Sequence, residues 1–268
     1  MLGSDLFLVK TILCAAALAA AFFLSAESPK LTFKTGRVDA VDLSLKNQFE
    51  PFQIDLNQSL SPNLLIATGA QGRIESIVND KYWRMGSEGM GTWHSDSKFW
   101  LNSGSALFCT EIPQTIEFST TESNATFEGR GTIILEATKN GGFKFIPLEG
   151  KGTITTEKGG TKEIIGGRML LILGKPTYFG DAYDIDIMLL LKSSRLINSY
   201  PTPLPTFDKM GLAIYIQELK LKGKYDALIG DATTNENLQL WKFGKAKDTD
   251  AKHSTPKKGF LGRFFGSD

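Results

Sequence analysis

The sequence predicts a mostly β protein of stacked short strands, arranged as a β-solenoid, a roll or a sandwich. A short helical region is predicted towards the C-terminus and an apolar helix at the N-terminus. The chain has 268 residues, 41% of them hydrophobic, and a net charge of +1, which is typical of a folded domain. Its 27 glycines separate short runs of β-forming residues. These runs recur about every ten residues, too closely for the crossovers that parallel strands require.

An apolar stretch lies near the N-terminus. Residues 11–26 are almost entirely apolar and follow Lys10, as in a secretory signal or a membrane anchor. As a helix they would span about 24 Å, less than the roughly 30 Å hydrocarbon core of a bilayer. Leu24 stands where cleavage after Ala26 requires a small residue, which favours retention. Residues 1–26 are therefore assigned to a signal peptide or membrane anchor, with a buried core helix as the alternative.

Residues 27–244 are predicted to form an exported, mostly β domain. Its β-type runs lie at 64–67, 73–78, 82–85, 99–101, 132–135, 143–146, 153–155 and 168–173. Glycine doublets among the later runs predict tight turns between them. Cys109 is the only cysteine in this part, so we expect no disulfide and stability that comes from packing alone.

The pattern changes after residue 180. Residues 181–199 fit both strand and helix spacing, and we predict a strand that continues into a helical turn near Ser193. Three prolines within residues 201–205 predict an extended connector, because proline fits neither a helix interior nor a central strand.

A helix is predicted after the proline connector, with Asp208 as its possible cap and Gly223 just beyond its end. Four large apolar residues recur there at the spacing of one helix face. They are Leu212, Tyr215, Ile216 and Leu219.

Residues 245–268 are predicted to form a flexible tail, because they are polar and lack apolar periodicity. The tail ends in a short peptide at 259–265 that contains Phe260, Phe264 and Phe265. Basic residues accompany these rings, so the peptide is suited to docking on a partner or on an anionic membrane. Folding back onto its own domain is the alternative.

The composition excludes several kinds of chemistry. Only two histidines and two cysteines are present, so we predict no metal site within one chain and no cofactor. The domain without its tail carries a slightly negative net charge, which argues against binding of nucleic acid. His94 lies beside Ser95 and Asp96, but neighbours in sequence do not face each other along a strand. No catalytic residue is therefore assigned.

Aromatic residues are dense between positions 82 and 100. Large rings of this kind can stack on sugars or anchor a partner chain, and packing in the core is the alternative. The candidate binding residues here are Tyr82, Trp83, Trp93 and Trp100.

Two carboxylates, Asp184 and Asp186, stand two residues apart. On a strand they would share one face and could act as an acid and base pair of a carbohydrate-active enzyme. The alternative is that they lie in a turn and at the first positions of a helix.

Several short motifs resemble the FecR domain. They are ATGAQGRIE (67–75), NDKYWRMG (79–86), WLNSGS (100–105), FKFIPL (143–148) and GTIT (152–155). The likeness covers about residues 64–175 and implies an exported β domain of stacked strands tethered to the bacterial inner membrane. The best-known members regulate a cytosolic sigma factor through an N-terminal cytosolic domain. At most ten residues precede the apolar stretch here, so that role is not carried over.

We therefore predict a FecR-like envelope protein, membrane-associated or exported, that acts as a binding module in signal sensing or envelope assembly. The expected location is the periplasmic side of the inner membrane or beyond it. The expected partners are an envelope protein or a glycan on the β surface and the inner membrane at residues 11–26. A carbohydrate-active enzyme and a structural spacer are the alternatives.

Overall fold

The computed structural model describes residues 28–45, 50–221, 227–228 and 241–242. In these residues the chain is mostly β, and three helices lie towards the C-terminus, which confirms the predicted mostly β character and the predicted C-terminal helical region. The predicted N-terminal apolar helix and the tail at 245–268 lie outside the described residues. None of the described helices has the length and apolar character that a membrane span requires.

The strands vary widely in length. They are β1 (Lys30–Thr35), β2 (Val38–Asp42), β3 (Phe52–Gln53), β4 (Leu64–Thr68), β5 (Arg73–Val78), β6 (Lys81–Met85), β7 (Met90–Ser95), β8 (Lys98–Ser103), β9 (Ser105–Ser119), β10 (Asn124–Ala137), β11 (Phe143–Thr156), β12 (Gly160–Glu163), β13 (Arg168–Leu173), β14 (Tyr178–Asp184), β15 (Ala227–Leu228) and β16 (Trp241–Lys242). The helices are α1 (Ile187–Ser193), α2 (Arg195–Asn198) and α3 (Phe207–Leu221).

One sheet contains strands β1 to β14, and it branches at β9. The first half of β9 pairs with β6, which leads to β5 and β1. Its second half pairs with β8, which leads to β7, β4, β2 and β3. Its other edge pairs with β10, and β10 pairs with β11. Of the ladders in this sheet, only β8 with β9 is parallel.

The three central strands are long, which differs from the short strands expected from the sequence. They contain 15, 14 and 14 residues. Gly129 lies opposite Gly152 and Gly131 lies opposite Gly150, all four with positive φ between 140° and 155°. The sequence predicted that glycines would end the strands here, but these four lie inside continuous strands. They let paired strands pass closely, because a side chain on any of them would meet the backbone opposite.

The two branches enclose one core. One layer contains β6, the first half of β9 and β11, and the other contains β7, β8 and the second half of β9. Aromatic rings of the first layer contact rings of the second. Trp83 and Trp93 lie 6.1 Å apart, and Phe118 and Phe145 also lie 6.1 Å apart, measured between ring centroids. The sheet therefore folds over itself, and the inward side chains of both layers form the larger of two hydrophobic clusters.

A second, smaller cluster lies on the opposite side of one layer. Leu107, Ile134 and Ile146 point outward from β9, β10 and β11, and buried apolar residues from the helical region cover them. Leu190 of α1 and Met210 of α3 are among these covering residues. The chain after β14 thus forms a third layer on the sheet.

The helical region is partly as predicted. The predicted helix that contains Leu212 and Leu219 is confirmed. It begins at Phe207, so Asp208 lies in its first turn and not at the cap position that the sequence predicted. Residues 181–199 are a strand only as far as Asp184, and helix begins at Ile187 rather than near Ser193. The reason is local, because the Asp186 side chain accepts a hydrogen bond from the Leu189 amide and caps α1.

The paired glycines give a test of the strand geometry. We expect Gly150→Ala to lower the free energy of unfolding by about 3 to 5 kcal/mol, because the new Cβ would overlap the Arg130 carbonyl and φ is 140°. The control is Gly160→Ala, where φ is also positive but no atom lies within 4 Å, and we expect a loss of about 1 kcal/mol. Urea denaturation measures both. Equal losses would show that the close strand approach is not what requires glycine.

Candidate functional site

The aromatic block predicted as a binding surface lies largely inside the protein. Trp83 is 1% exposed and Trp93 is 2% exposed. Trp83 contacts Phe99 and Phe108, with ring centroids 4.8 and 4.7 Å away. The assignment of Trp83 and Trp93 to a binding surface is therefore corrected, because both rings point between the two layers.

The other predicted binding residues have different positions. Tyr82 alternates with Trp83 along β6, so it faces the opposite side of the sheet and packs half-buried against the smaller cluster. Trp100 is half-buried on β8. Phe260, Phe264 and Phe265 lie outside the described residues.

The predicted polar candidates do not converge. Asp184 ends β14, and Asp186 caps α1 with an oxygen 2.9 Å from the Leu189 amide nitrogen. His94 is exposed on β7. Across the described parts of the chain, no group of three or more His, Cys, Asp and Glu side chains is placed to hold a metal ion.

Two open cavities lie on the surface. One, of about 360 Å³, is lined by Lys162, Glu163, Ile165, Arg168, Leu170 and Ala182. The other, of about 480 Å³, is lined by residues 102–104, 121–122 and 137–141. Each has one carboxylate in its lining, so neither contains the pair that glycoside hydrolysis requires.

A buried arginine attaches the helical region to the sheet. Arg84 of β6 is 1% exposed, and its Nε lies 2.8 Å from the Glu75 carboxylate. Its remaining nitrogens donate to the carbonyl oxygens of Leu196, Ile197 and Thr202. This one side chain therefore binds three points of the segment between α1 and α3.

Tyr200 completes this attachment. Its ring lies 4.2 Å from the guanidinium carbon of Arg84, and its hydroxyl donates to the Met85 carbonyl at 3.0 Å. Burial raises the pKa of the Tyr200 hydroxyl, although the positive charge of Arg84 opposes this. The hydroxyl therefore stays protonated and acts as a hydrogen-bond donor.

A chain of hydrogen bonds lies beneath the start of α3. The Sγ of Cys109 is 3.3 Å from the Thr206 hydroxyl, which contacts the Thr132 hydroxyl, and Thr132 donates to Glu149 at 2.9 Å. All four side chains are buried. Burial raises the pKa of the Cys109 thiol and of the Glu149 carboxyl. A buried thiol of raised pKa is a poor nucleophile, so we assign this cluster to packing of the α3 start.

Three side chains hold α3 against the protein. Met210 is fully buried in the smaller cluster. Lys209 Nζ lies 2.7 Å from the Glu111 carboxylate on β9. Gln217 accepts a hydrogen bond from the Ile187 amide at 3.1 Å and donates to the Ile185 carbonyl. These contacts fix which side of the helix points inward.

The opposite side of α3 is apolar and exposed. Leu212, Tyr215 and Leu219 are 61%, 59% and 57% exposed, and Ile216 beside them is exposed as well. These four residues are called the outer face of α3 from here on. A helix that is apolar on two sides is normally covered on both, and exposed apolar patches commonly mark interaction sites.

Acidic side chains flank the outer face. Asp208 lies four residues before Leu212, and Glu218 lies three residues after Tyr215, so both are neighbours on the helix surface. Both are exposed, and neither forms an ion pair with another described side chain. The face therefore has an apolar centre with two exposed carboxylates beside it.

The sequence contained a pattern that could have indicated this exposed face, but the spacing of its apolar residues was used only to predict the helix. The spacing of Leu212, Tyr215 and Leu219 predicted the helix and left its orientation open. Met210 and Ile214 lie on the other side of the same helix, and Met210 is the residue that packs against the sheet. Apolar residues on two sides of one helix are the signal that could have indicated an interaction surface.

Comparisons with known proteins found no relative. No family model matches the chain, and no curated protein and no solved structure matches it. The class that the fold and the surface define is a mostly β scaffold that carries an exposed apolar helix.

The buried Arg84 provides a stability prediction. We expect Arg84→Met to lower the free energy of unfolding by about 3 to 5 kcal/mol, because Glu75 would keep a buried charge without its partner. The control is Lys98→Met, which breaks the 2.8 Å pair with Glu117 at partly exposed positions and should cost less than about 1 kcal/mol. Urea denaturation compares them. Similar losses would contradict the role given to Arg84.

The raised pKa of Glu149 predicts a pH dependence. A carboxyl with a raised pKa binds its proton more readily in the folded chain, so its effect on stability is unfavourable above that pKa and disappears below the pKa of the unfolded chain. Glu149→Gln, which keeps the acceptor for Thr132, should therefore be more stable than wild type at pH 7. The difference should vanish below about pH 4.

Urea denaturation from pH 4 to pH 8 measures the difference between Glu149→Gln and wild type. Glu157→Gln changes an exposed carboxylate in a turn, away from Glu149 and from α3, and serves as the control. A variant that is less stable than wild type at pH 7, or a difference that does not change with pH, would contradict the prediction.

Proposed function

We propose that the protein is a binding module that holds a segment of another protein chain on the outer face of α3. The observation that carries this proposal is the exposure of Leu212, Tyr215 and Leu219 on a helix whose other side is already buried. Large apolar and aromatic side chains are the usual anchors of protein interfaces.

The charges around the face specify the chemistry of the partner. Asp208 and Glu218 favour a segment that brings positive side chains beside its apolar ones. The partner is therefore an apolar segment with lysine or arginine close by. Electrostatic complementarity of this kind increases the association rate and excludes acidic competitors.

The envelope setting supports this reading and belongs to the proposal. The resemblance to the FecR domain and the apolar stretch at 11–26 suit a protein on the periplasmic side of a bacterial inner membrane, or one that is exported. In that setting residues 1–26 act as the signal peptide or the helical membrane anchor, and the partner is another envelope protein. The FecR-like part is the stacked β domain over residues 64–175.

The interaction role is favoured over the two alternatives by particular observations. A carbohydrate-active enzyme would use Asp184 and Asp186, yet Asp186 is engaged as the cap of α1. Glycan stacking loses two of its three tryptophan candidates, because Trp83 and Trp93 are buried. A structural spacer does not require an apolar helix face that is exposed to water, whereas such faces commonly mark interaction sites.

Photo-crosslinking in the native host tests the proposed function. The full chain carries p-benzoyl-phenylalanine in place of Leu212, and irradiation should give a discrete adduct heavier than the chain. Mass spectrometry should identify in it a partner segment with apolar and positively charged residues. The same photoreactive residue in place of Tyr178, an exposed ring on β14, is the matched control and should not give that adduct.

A second substitution ties the adduct to the outer face. Leu219→Glu should reduce it about tenfold or more, because burying a carboxylate opposes docking. Ile165→Glu changes another exposed apolar residue, 44% exposed against 57% for Leu219, and should leave the adduct unchanged. The absence of a heavier adduct, an adduct that survives Leu219→Glu, or an adduct formed only with a second copy of the chain would overturn the proposal.

A further inference from the structure

We infer that the chain carries its own ligand for the outer face of α3, the peptide at residues 259–265, which binds there within the same molecule. The inference rests on the proposed function, because it uses the same surface. It adds a regulatory contact, since an external partner then has to displace the peptide.

The peptide has the chemistry that the outer face requires. Phe260, Leu261, Phe264 and Phe265 are the only large apolar residues between positions 245 and 268 of the sequence. Lys257, Lys258 and Arg263 accompany them within nine positions. The apolar side chains match the centre of the face, and the positive charges match Asp208 and Glu218.

The connection is long enough for the peptide to reach the whole face. Helix α3 ends at Leu221, and β15 pairs with β16, which brings Ala227 beside Lys242. The stretches 221–227 and 242–259 can together extend over about 75 Å at roughly 3.4 Å per residue. The helix itself is only about 22 Å long. Tethering also gives a ligand an effective concentration of the order of millimolar. The peptide therefore outcompetes a free ligand of equal affinity whose concentration is below that value.

Charge argues against the two other ways of covering the face. A second copy of the chain would bring two further carboxylates, its own Asp208 and Glu218, to the same interface, whereas residues 257–265 contain no acidic side chain. An anionic membrane surface would repel the same two carboxylates. A basic apolar peptide meets neither difficulty.

Crosslinking of the purified full chain tests the inference. With p-benzoyl-phenylalanine in place of Leu212, we expect the main crosslinked peptide to come from residues 259–265. An equal mixture of unlabelled chain and chain labelled with ¹⁵N shows whether the link is within one molecule, because links between molecules combine both isotopes. The photoreactive residue in place of Tyr178 is the control, and it should not link to residues 259–265.

Two variants separate the side chains that bind from the added charge. The double substitution Phe264→Glu and Phe265→Glu should reduce the link about tenfold or more, because two apolar anchors are lost. Ser267→Glu adds a negative charge nearby without removing an apolar group and should change the link by less than about threefold. Both changes lie in the tail, away from the packed layers.

The outcomes distinguish this inference from the proposed function. Links that combine both isotopes, links to other segments, no link at all, or a link unaffected by the double substitution would each overturn the inference. If the cell experiment still gives a partner adduct on the outer face, the proposed function survives that failure. A link within one chain, together with no partner adduct even in the double variant, would support the inference and overturn the proposed function.

Discussion

The position of the helical region depends on the burial of one positive charge. Arg84 lies in the sheet with Glu75 beside it, and its other nitrogens bind carbonyl oxygens of Leu196, Ile197 and Thr202. A buried guanidinium is tolerated only when its donors are satisfied. The segment before α3 is therefore held on the sheet because its carbonyl oxygens accept the hydrogen bonds of the Arg84 guanidinium, which cannot reach water. Apolar packing around the guanidinium adds to this attachment.

That constraint determines which part of the chain remains available. The connector delivers Thr206 and Met210 to the outward side of the sheet, where both are buried. Lys209 and Gln217 then fix the rotation of α3 through polar contacts with the sheet and with the start of α1. Because that rotation is fixed, the outer face of α3 points into solvent. Exposure of an apolar surface is thus a consequence of how the inward side is bound.

The sequence predicted local structure better than it predicted how segments combine. The runs at 132–135, 143–146 and 153–155 all proved to be strands, but the last two belong to one continuous strand, β11. Gly150 and Gly152 stand between them and look like turn residues. Whether a glycine ends a strand or lets a neighbour approach depends on the strand opposite, which spacing along the chain does not contain. The rings of Trp83 and Trp93 were similarly ambiguous, because a binding surface and a core both use aromatic residues.

The sequence by itself determined the mostly β character, the helix at Phe207–Leu221 and the apolar residues that this helix presents. These follow from periodicity and turn chemistry, which act over a few residues. Only the tertiary structure decided that Trp83 is core, that Arg84 is buried and that Leu212 faces water. Each of these depends on contacts between positions far apart in the chain, as Arg84 and Thr202 illustrate. Burial is a property of the assembled layers, because a side chain loses water only when distant segments pack over it.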